Sequence, residues 1–383
     1  MGLPRENTPN TEDHTFCDAE KLARLRLIRS ENIGPVTFFR LLERFGNARA
    51  ALDALPGLAR NGGRAKALKI CTLHEAEDEV AELQAMGADM LFHGAAGYPP
   101  LLTYIEDAPP VLFVRGHAHL LNKKAVAMVG SRNASINGRH FARDMAAHLG
   151  QAGYLVVSGT ARGIDTAAHA GSIAGGGATV AVMAGGVDIV YPPENDALYQ
   201  NIIETGAIVC EMPPGLKPQA RHFPRRNRIV SGLSLAIIVV EAAQRSGSLI
   251  TARLAGEQGR AVLAVPGSPL DPRAYGANHL IREGAVLVRN AEDVFEAVRP
   301  MATTPTAPTE TPPPAARTPV LDLDSPGTDS RKTVISCLSP EPVAVDEIVR
   351  RCQLTAPVVR TILLELELAG RLERHPGNRV AAC

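Results

Sequence analysis

Residues 125–132 read AVAMVGSR, a continuous apolar run that ends in glycine, serine and arginine. Further short apolar runs follow, separated by stretches of helical patterning, at 154–157, 179–183, 207–210, 235–240, 261–265 and 285–288. Such runs, alternating with helices, are typical of a parallel sheet that is buried on both faces. The pattern predicts a Rossmann-like α/β domain with a parallel sheet core. Such sheets bind ligands at the carboxyl ends of their strands, where Gly, Ser and Arg residues of this chain fall.

The regions on both sides of this domain have a different pattern. The N-terminal region has helical spacing with breaks at 32–35 and 55–57, the outline of a SAM or helix-hairpin-helix-like domain whose turn amides can meet a phosphate. A small packing or dimerisation domain is the alternative. Near the C-terminus, three helical segments and a turn at 376–377 indicate a winged helix. The predicted organisation is a disordered N-terminus (1–15), the helical domain (16–80), a connecting segment (81–123), the Rossmann-like domain (124–299), a Pro/Thr-rich linker (300–328) and the winged helix (329–383).

The overall composition constrains the class of protein. The 383-residue chain has 40 basic and 40 acidic residues, so a nucleic-acid site would depend on local clustering of charge. Six scattered cysteines without a CxxC pair argue against a zinc module or a disulfide scaffold and fit a reducing cytoplasm. No apolar run approaches the roughly 20 residues that span a bilayer, and no signal peptide is evident. We therefore expect a cytoplasmic protein with no metal site and no membrane partner.

The loop after the first predicted strand contains Gly130, Ser131 and Arg132. A dinucleotide fingerprint would need two further glycines at fixed spacing, and only the first glycine is present. Gly130 permits a tight turn, while the serine, the loop amides and the guanidinium can donate hydrogen bonds to a phosphate. This loop is therefore a candidate phosphate site, with a structural turn and a surface arginine as the alternative.

The loop after the second predicted strand reads SGTARGID at 158–165, and it should lie beside the first loop. Asp165 is predicted to be the N-cap of a helix over 166–174, in preference to a catalytic carboxylate. His169 lies inside that helix and is predicted to be packed there. The candidate binding residues of this loop are Ser158, Gly159 and Arg162.

The segment 217–228 reads KPQARHFPRRNR and contains several basic side chains and no acid. We interpret it as a cationic loop, in which the charges can meet phosphates and one aromatic ring can meet a base. A solvated charged loop is the alternative. Asn227 either contacts the ligand or caps the following helix. The other candidates are Lys217, Arg221, Phe223, Arg225, Arg226 and Arg228.

A fourth loop contains Ser246, Gly247 and Ser248 ahead of a predicted helix, which makes it a potential anion site at a helix N-terminus. Glu241 and Glu257 could suggest acid–base chemistry. However, the sequence contains no partner for a nucleophile, no metal-ligand cluster and no Walker lysine. We therefore predict no catalytic residues, no cofactor and no enzymatic activity.

Several motifs occur together in a fixed order, and together they resemble the DNA-processing protein A family, also called DprA or Smf. The resemblance is dense in the central domain and looser in the two terminal domains. It rests on MVGSR (128–132), SGTARGID (158–165), YPPEN (191–195), FPRRNRIVSGLS (223–234), VVEA (239–242), SGSLITA (246–252), AVPG (264–267) and GANHLI (276–281).

The resemblance implies a non-enzymatic homodimer that binds and protects incoming single-stranded DNA. Such a protein loads RecA recombinase on the strand during natural transformation or recombination. The residues that the family motif carries over are Gly130, Ser131, Arg132, Ser158, Gly159, Phe223, Arg226, Asn227, Ser246 and Gly247. The chain departs from the family pattern at Thr160, at Ala220, where a lysine sometimes occurs, and at 210–212, where Cys-Glu-Met replaces Ser-Glu-Tyr.

Two other classes of function remain as alternatives, one based on the Gly/Ser loops and one on the winged helix. A Rossmann-type enzyme that acts on a nucleotide phosphate would use the Gly/Ser loops, although the basic segment suits a polymer better than one nucleotide. A duplex-binding regulator would read a groove with the third helix of the winged helix. That helix carries Arg360 but also Glu365 and Glu367, so we favour a protein-interaction or weak duplex-binding role for it.

Overall fold

The computed structural model describes residues 16–303, 326–375 and 377–383 of the chain, with the backbone alone for 300–303. The predicted disorder of 1–15 and most of the predicted linker over 300–328 lie outside the described residues. The beginning of that linker differs from the prediction, because a helix continues to Thr303. The described chain forms two compact units, one of residues 16–17 with 78–303 and one of residues 18–77 with 326–375 and 377–383.

The N-terminal region is helical, as predicted. Its helices are α1 (Asp18–Arg29), α2 (Pro35–Phe45), α3 (Ala48–Asn61) and α4 (Leu73–Ala85). The predicted turn at 32–35 separates α1 from α2. Gly46 ends α2 in the left-handed region at φ 80° and donates its N–H to the Leu42 carbonyl at 2.8 Å. Phe38 and Leu41 are fully buried and form the centre of the core of these helices.

The predicted break at 55–57 is wrong, because α3 runs through it with Pro56 inside the helix. A proline in a helix interior removes one backbone hydrogen bond and costs roughly 3 kcal/mol. Leu52, Leu55 and Leu58 recur at helical spacing and are all buried. Burial of each such side chain contributes about 1.5–3 kcal/mol, so the packing of this face outweighs the cost of the proline.

The central region alternates strands and helices. Its strands are β1 (Ala88–Phe92), β2 (Val111–Gly116), β3 (Ala125–Val129), β4 (Leu155–Ser158), β5 (Thr179–Val182), β6 (Ala207–Cys210), β7 (Ala236–Val239), β8 (Ala261–Ala264) and β9 (Val286–Leu287). Its helices are α5 (Pro100–Thr103), α6 (Ile136–Gln151), α7 (Ile164–Ala174), α8 (Asp196–Thr205), α9 (His222–Gly232), α10 (Gly247–Glu257), α11 (Tyr275–Arg282) and α12 (Ala291–Thr303).

Among the described residues, nine strands form one sheet in the order β1-β2-β6-β5-β4-β3-β7-β8-β9. All pairings from β6 to β9 in this order are parallel. Val126, Val156 and Ile237 are completely buried in the middle of the sheet, as predicted from the apolar runs. The strand order reverses direction at β3, which lies between β4 and β7. Such a switch point is the usual ligand site of an open parallel sheet, because the loops that follow the two central strands diverge there.

The segment 81–123 is more than a connection. Its strands β1 and β2 extend the sheet, with β2 antiparallel to both β1 and β6. Phe113 of β2 lies opposite Cys210 of β6 and is fully buried. The sheet therefore begins before 124, and two antiparallel strands cover the edge of β6.

The C-terminal region forms the predicted winged helix. Its elements are α13 (Thr328–Ser336), β10 (Val343–Ala344), α14 (Val345–Cys352), α15 (Ala356–Leu368), β11 (Leu372–His375) and β12 (Arg379–Ala382). Strands β11 and β12 pair antiparallel, and β10 pairs antiparallel with β12. Residue 376 of the predicted turn lies outside the described residues. Val334, Ile348, Ile362 and Val380 lie in the core that joins the three helices to the wing.

Helix α15 is the third helix of the winged helix, and it packs against the N-terminal helices. Leu364 and Leu368 are buried in the same apolar cluster as Phe38 and Leu58. Glu365 is only 2% exposed, forms an ion pair with Arg331 at 2.8 Å and accepts a hydrogen bond from Asn61 at 3.1 Å. A Cβ on Gly62 would lie 2.0 Å from the Glu365 carbonyl oxygen, so the two backbones touch. The acidic residues of α15 thus have a structural role inside this unit.

Within the described ranges of the chain, no helix combines the length and the apolar character that crossing a bilayer requires.

Candidate nucleic-acid interface

The loops that follow β3, β4 and β7 meet at the switch point and are joined by hydrogen bonds. The Ser158 hydroxyl, at the end of β4, donates to the Met128 carbonyl of β3 at 2.6 Å. The Ser248 hydroxyl, at the start of α10, donates to the Gly130 carbonyl at 2.9 Å. Three of the four loops predicted from the sequence therefore lie side by side. Ser158 and Ser248 are buried, and their hydroxyls position these loops.

The loop after β7 leads into α10 as predicted. Ser246 is the N-cap of α10 and accepts the N–H of Ser248 at 3.3 Å. Gly247 lies at the first helical position. The unpaired amides of a helix start carry partial positive charge, so this end of α10 favours an anion.

Glu241 anchors the loop after β3. Its carboxylate accepts hydrogen bonds from the Ser135 amide at 2.9 Å and from the Ser135 hydroxyl at 2.5 Å. Ser135 is the N-cap of α6, which follows the Gly130–Arg132 loop directly. Glu241 therefore holds the start of α6 at the end of β7, and its two oxygens are engaged in that contact.

The Arg132 guanidinium lies over the ring of Phe223, with 5.2 Å between the guanidinium carbon and the ring centroid. This cation–π contact joins the loop after β3 to the basic segment. The structure therefore brings together two candidate side chains that lie 91 residues apart in the sequence. It also adds Tyr191, whose ring centroid lies 6.0 Å from that of Phe223.

The prediction of a continuous cationic loop over 217–228 is partly wrong, because α9 begins at His222 and includes the rest of the segment. The sequence contained a signal for this helix in Pro224, since proline is favoured in a first helical turn. Asn227 lies within α9, so the alternative that it caps a following helix is also wrong. The helix divides the basic residues between two environments, with Arg225 exposed and Arg226 and Arg228 buried.

Arg228 is 6% exposed and lies between two carboxylates. It forms ion pairs with Glu211 and with Asp107, the latter with 3.4 Å between Nε and Oδ2. Its guanidinium also donates to the Asp107 carbonyl. These partners, from the end of β6 and from the segment before β2, hold α9 on the sheet. We predicted that Arg228 binds the ligand. The structure instead gives it a structural contact with Glu211 and Asp107.

Arg226 is 7% exposed and points into the domain, where it donates to the Val182 carbonyl at 2.7 Å. Its guanidinium and the Asp165 carboxylate both lie against Gly159. A Cβ on Gly159 would be 2.0 Å from Arg226 Nη1 and 2.5 Å from Asp165 Oδ2, so no larger residue fits. Arg226 therefore shapes the loop after β4 from below. The basic segment predicts Arg226 as a DNA-binding residue, and the structure instead places its guanidinium beneath the loop at 7% exposure.

Asp165 is 6% exposed, and the prediction that it is an N-cap is wrong. Helix α7 begins at Ile164, and Gly163 is its N-cap residue. The Asp165 carboxylate instead accepts the Ala161 N–H at 3.2 Å. Burial raises the pKa of Asp165, while the Arg226 guanidinium acts in the opposite direction. The buried side chains of Asp165 and Arg226, which both lie against Gly159, thus support the Ser-Gly loop.

His169 is 1% exposed, which confirms the prediction that it is packed. Its Nε2 donates to the Gly159 carbonyl at 2.6 Å, and its Nδ1 lies 2.7 Å from the Thr179 hydroxyl. A carbonyl only accepts, so Nε2 carries the proton. Burial lowers the pKa of His169 to about 4.

We expect His169 to make the domain less stable in mild acid. Its pKa is about 4 in the folded chain and ordinarily 6.5, so the unfolded chain binds a proton in this window that the folded chain does not. The free energy of unfolding should therefore fall by up to roughly 3 kcal/mol from pH 6.5 to pH 4. Urea unfolding across this range measures the effect. The His169→Gln variant keeps a donor and an acceptor, and its unfolding free energy should depend less on pH. Equal slopes for the two proteins would contradict this assignment.

Arg162 is exposed, but it forms an ion pair with Glu194, a residue that the sequence analysis did not single out. The neighbouring Asn195 donates to the Thr160 carbonyl at 3.1 Å. The segment 191–195 is thereby fastened to the loop after β4. The YPPEN motif that contains both residues was visible in the sequence, but nothing in it indicated these partners.

The loops after β3, β4 and β7 and the segment 217–228 carry exposed basic side chains, which are Arg132, Arg162, Arg245, Lys217, Arg221 and Arg225. Of these, Arg162 is paired with Glu194. Among the residues that the structure describes, no group of three or more His, Cys, Asp or Glu side chains is arranged to hold a metal ion.

These features define a Rossmann-like α/β protein with a cationic, aromatic switch point, joined to a helix-hairpin-helix domain and a winged helix. Comparison with known families gives the same three parts. The model of the DNA recombination-mediator protein A family matches residues 89–299. The DprA-like N-terminal HHH domain matches 18–82, and the DprA winged helix domain matches 304–378. The chain belongs to the DNA recombination-mediator protein A family, so the resemblance and the fold class inferred from the sequence are confirmed.

Individual relatives support this assignment. The chain is 39% identical over 285 residues to protein Smf of Escherichia coli, covering 74% of each chain. It is 43% identical over 218 residues to DNA processing protein DprA of Bacillus subtilis, covering 57% of this chain and 73% of the relative. The X-ray structure of DprA from Streptococcus pneumoniae superposes with a TM-score of 0.61 and 35% identity, covering 74% of this chain and 98% of that one.

A second structural relative is DNA processing protein A from Helicobacter pylori, whose structure was described for its single-stranded DNA binding mode. It matches with a TM-score of 0.50 and 26% identity, over 56% of this chain and 95% of that one.

Proposed function

We propose that this chain binds single-stranded DNA across the switch point of its sheet and does not cut it. The observation that carries the proposal is the Arg132 guanidinium placed over the Phe223 ring at the end of β3. A single strand needs cations for its phosphates and a ring face for its bases, and this pair offers both within one contact. The H. pylori relative, described as binding single-stranded DNA, supports the same ligand class.

The proposed phosphate contacts come from the accessible residues of the edge. Arg132, Lys217, Arg221 and Arg225 provide charge, while the Gly130–Ser131 loop and the Ser246–Gly247 helix start provide amides. Asn227, which is half-buried on α9, remains a candidate polar contact. Ser158, Gly159, Ser248, Arg226 and Arg228 are assigned to shaping the site. Arg162 is paired with Glu194, so its positive charge is partly neutralised and we assign it to holding the segment 191–195 in place.

The absence of catalysis is part of the proposal. Three carboxylates contact these loops, those of Glu241, Asp165 and Glu194. The first two accept hydrogen bonds from backbone amides, and Glu194 pairs with Arg162. The rival function, an enzyme acting on a nucleotide phosphate, would need a carboxylate that can reach a substrate. Release of free base from a nucleotide by the purified chain would favour that rival.

The later steps of the proposed function are DNA protection and transfer of the strand to RecA in the cytoplasm during transformation or recombination. Membership of the recombination-mediator family supports this role. We also propose that the chain is a homodimer. The supporting observation is that β9 lies at the edge of the sheet, with Val286 42% exposed and Leu287 40% exposed. An exposed apolar edge strand can pair with the same strand of a second copy.

The proposal predicts strong salt dependence. If Arg132, Lys217, Arg221 and Arg225 each neutralise one phosphate of a single strand, the slope of log K against log salt should be roughly −3. Fluorescence anisotropy with a labelled oligothymidylate, at several salt concentrations, measures this slope. A matched duplex should bind more weakly, because paired bases cannot stack on Phe223. Salt-independent binding, or equal affinity for the duplex, would contradict the proposed site.

A further inference from the structure

Tyr191 lies at the edge of the proposed binding site, in the segment 191–195, to which the proposed function assigns no contact with the strand. It follows β5, and its side chain is 43% exposed although it is large and aromatic. Its ring centroid lies 6.0 Å from that of Phe223, with 57° between the two ring planes. At this angle the two rings do not stack on each other, so Phe223 does not cover the exposed ring of Tyr191.

The backbone around Tyr191 is held in place on both sides. Glu194 pairs with Arg162, and Asn195 donates both to the Thr160 carbonyl at 3.1 Å and to the Thr166 hydroxyl at 3.0 Å. On the other side, the Tyr199 hydroxyl donates to the Val187 carbonyl. The loop therefore presents the ring from a fixed support. A fixed aromatic ring loses little conformational freedom on binding, which favours affinity.

We propose that Tyr191 is a second base-stacking residue, so that Arg132, Phe223 and Tyr191 form one row along the bound strand. This inference rests on the proposed function. It adds that two adjacent bases of the strand stack on the two rings of Phe223 and Tyr191. The contacts along the row are 5.2 Å from Arg132 to Phe223 and 6.0 Å from Phe223 to Tyr191. Stacking tolerates any base, so the row would bind strands without regard to sequence.

Alanine and phenylalanine substitutions at Tyr191 distinguish the contribution of the ring from that of its hydroxyl. Tyr191→Ala should weaken oligothymidylate binding by about 5- to 150-fold, the range for loss of one stacked base. Tyr191→Phe should bind within about twofold of the wild type, since the ring is kept. Tyr104→Ala is the matched control, because Tyr104 is also exposed, at 63%, and lies outside the row. Thermal unfolding of each variant checks that the fold is retained.

A tryptophan reporter tests stacking directly. The chain contains no tryptophan, so Tyr191→Trp introduces a single fluorophore at the proposed contact. Oligothymidylate should quench its emission in step with binding, while the emission of Tyr104→Trp should not change. Equal affinities of Tyr191→Ala and wild type, or unquenched emission from Tyr191→Trp with the strand bound, would overturn the stacking role alone. If the wild-type chain does not bind the oligonucleotide, the proposed function itself fails.

Discussion

Replacing Arg226 with alanine is expected to lower the free energy of unfolding of the central unit by roughly 1–3 kcal/mol, the usual cost of leaving buried polar groups without their partner. The variant leaves Asp165 buried without its cation and removes the donor from the Val182 carbonyl. It also opens the space over Gly159. Urea unfolding followed by circular dichroism measures the loss. Arg225→Ala is the matched control, because its neighbouring, exposed side chain should contribute less than about 0.5 kcal/mol.

A second variant tests the reason for this loss. If the cost comes from an unpaired buried carboxylate, then adding Asp165→Asn to Arg226→Ala should restore part of the stability. A loss for Arg226→Ala no larger than that of Arg225→Ala would mean that the buried guanidinium does not stabilise the loop. Additive losses in the double variant would show that the two side chains act independently.

The double substitution Arg132→Ala with Phe223→Ala is expected to weaken single-stranded DNA binding by about 100-fold or more. Stacking of one base contributes about 1–3 kcal/mol, and the lost guanidinium removes one phosphate contact as well. The two side chains touch, so the single variants should not add to the double one. Anisotropy titration measures the affinity.

The control for this experiment is Arg253→Ala. Arg253 lies on α10, is exposed and pairs with Glu257, so its loss should leave the affinity nearly unchanged. The stability of the double variant should stay close to that of the wild type, because neither Arg132 nor Phe223 is buried. Undiminished binding by a folded double variant would rule out the proposed site.

Much of the central sheet could be predicted from the sequence, because each buried parallel strand leaves a continuous apolar run. The loops after β3, β4 and β7 were predictable for the same reason, since parallel strands bring their carboxyl ends to one edge. Strands β1 and β2 were not recognised as part of the sheet. They pair antiparallel, and the pairing of β2 with β6 depends on distant residues such as Phe113 and Cys210.

The site was predicted less completely than the fold. Arg225, Arg226 and Arg228 look equivalent in the sequence, and their environments differ only because α9 turns two of them inward. The acids that pair with Arg228 lie in other segments of the sequence, at Asp107 and Glu211. The position of Tyr191 next to Phe223 likewise depends on the fold of two loops and could not be derived from either one.

The packing of α15 against the N-terminal helices has a consequence for the order in which the chain is made. Leu58 emerges early from the ribosome, whereas Leu364 and Leu368 complete the same apolar cluster from the opposite end of the sequence. At about 5–20 residues per second, the interval between Leu58 and Leu368 is roughly 15–60 s. During synthesis, part of the apolar face of the N-terminal helices therefore stays exposed to solvent until α15 has been made and has packed against it. A chain shortened before α15 would keep that face uncovered permanently, so removing the winged helix changes the N-terminal helices as well.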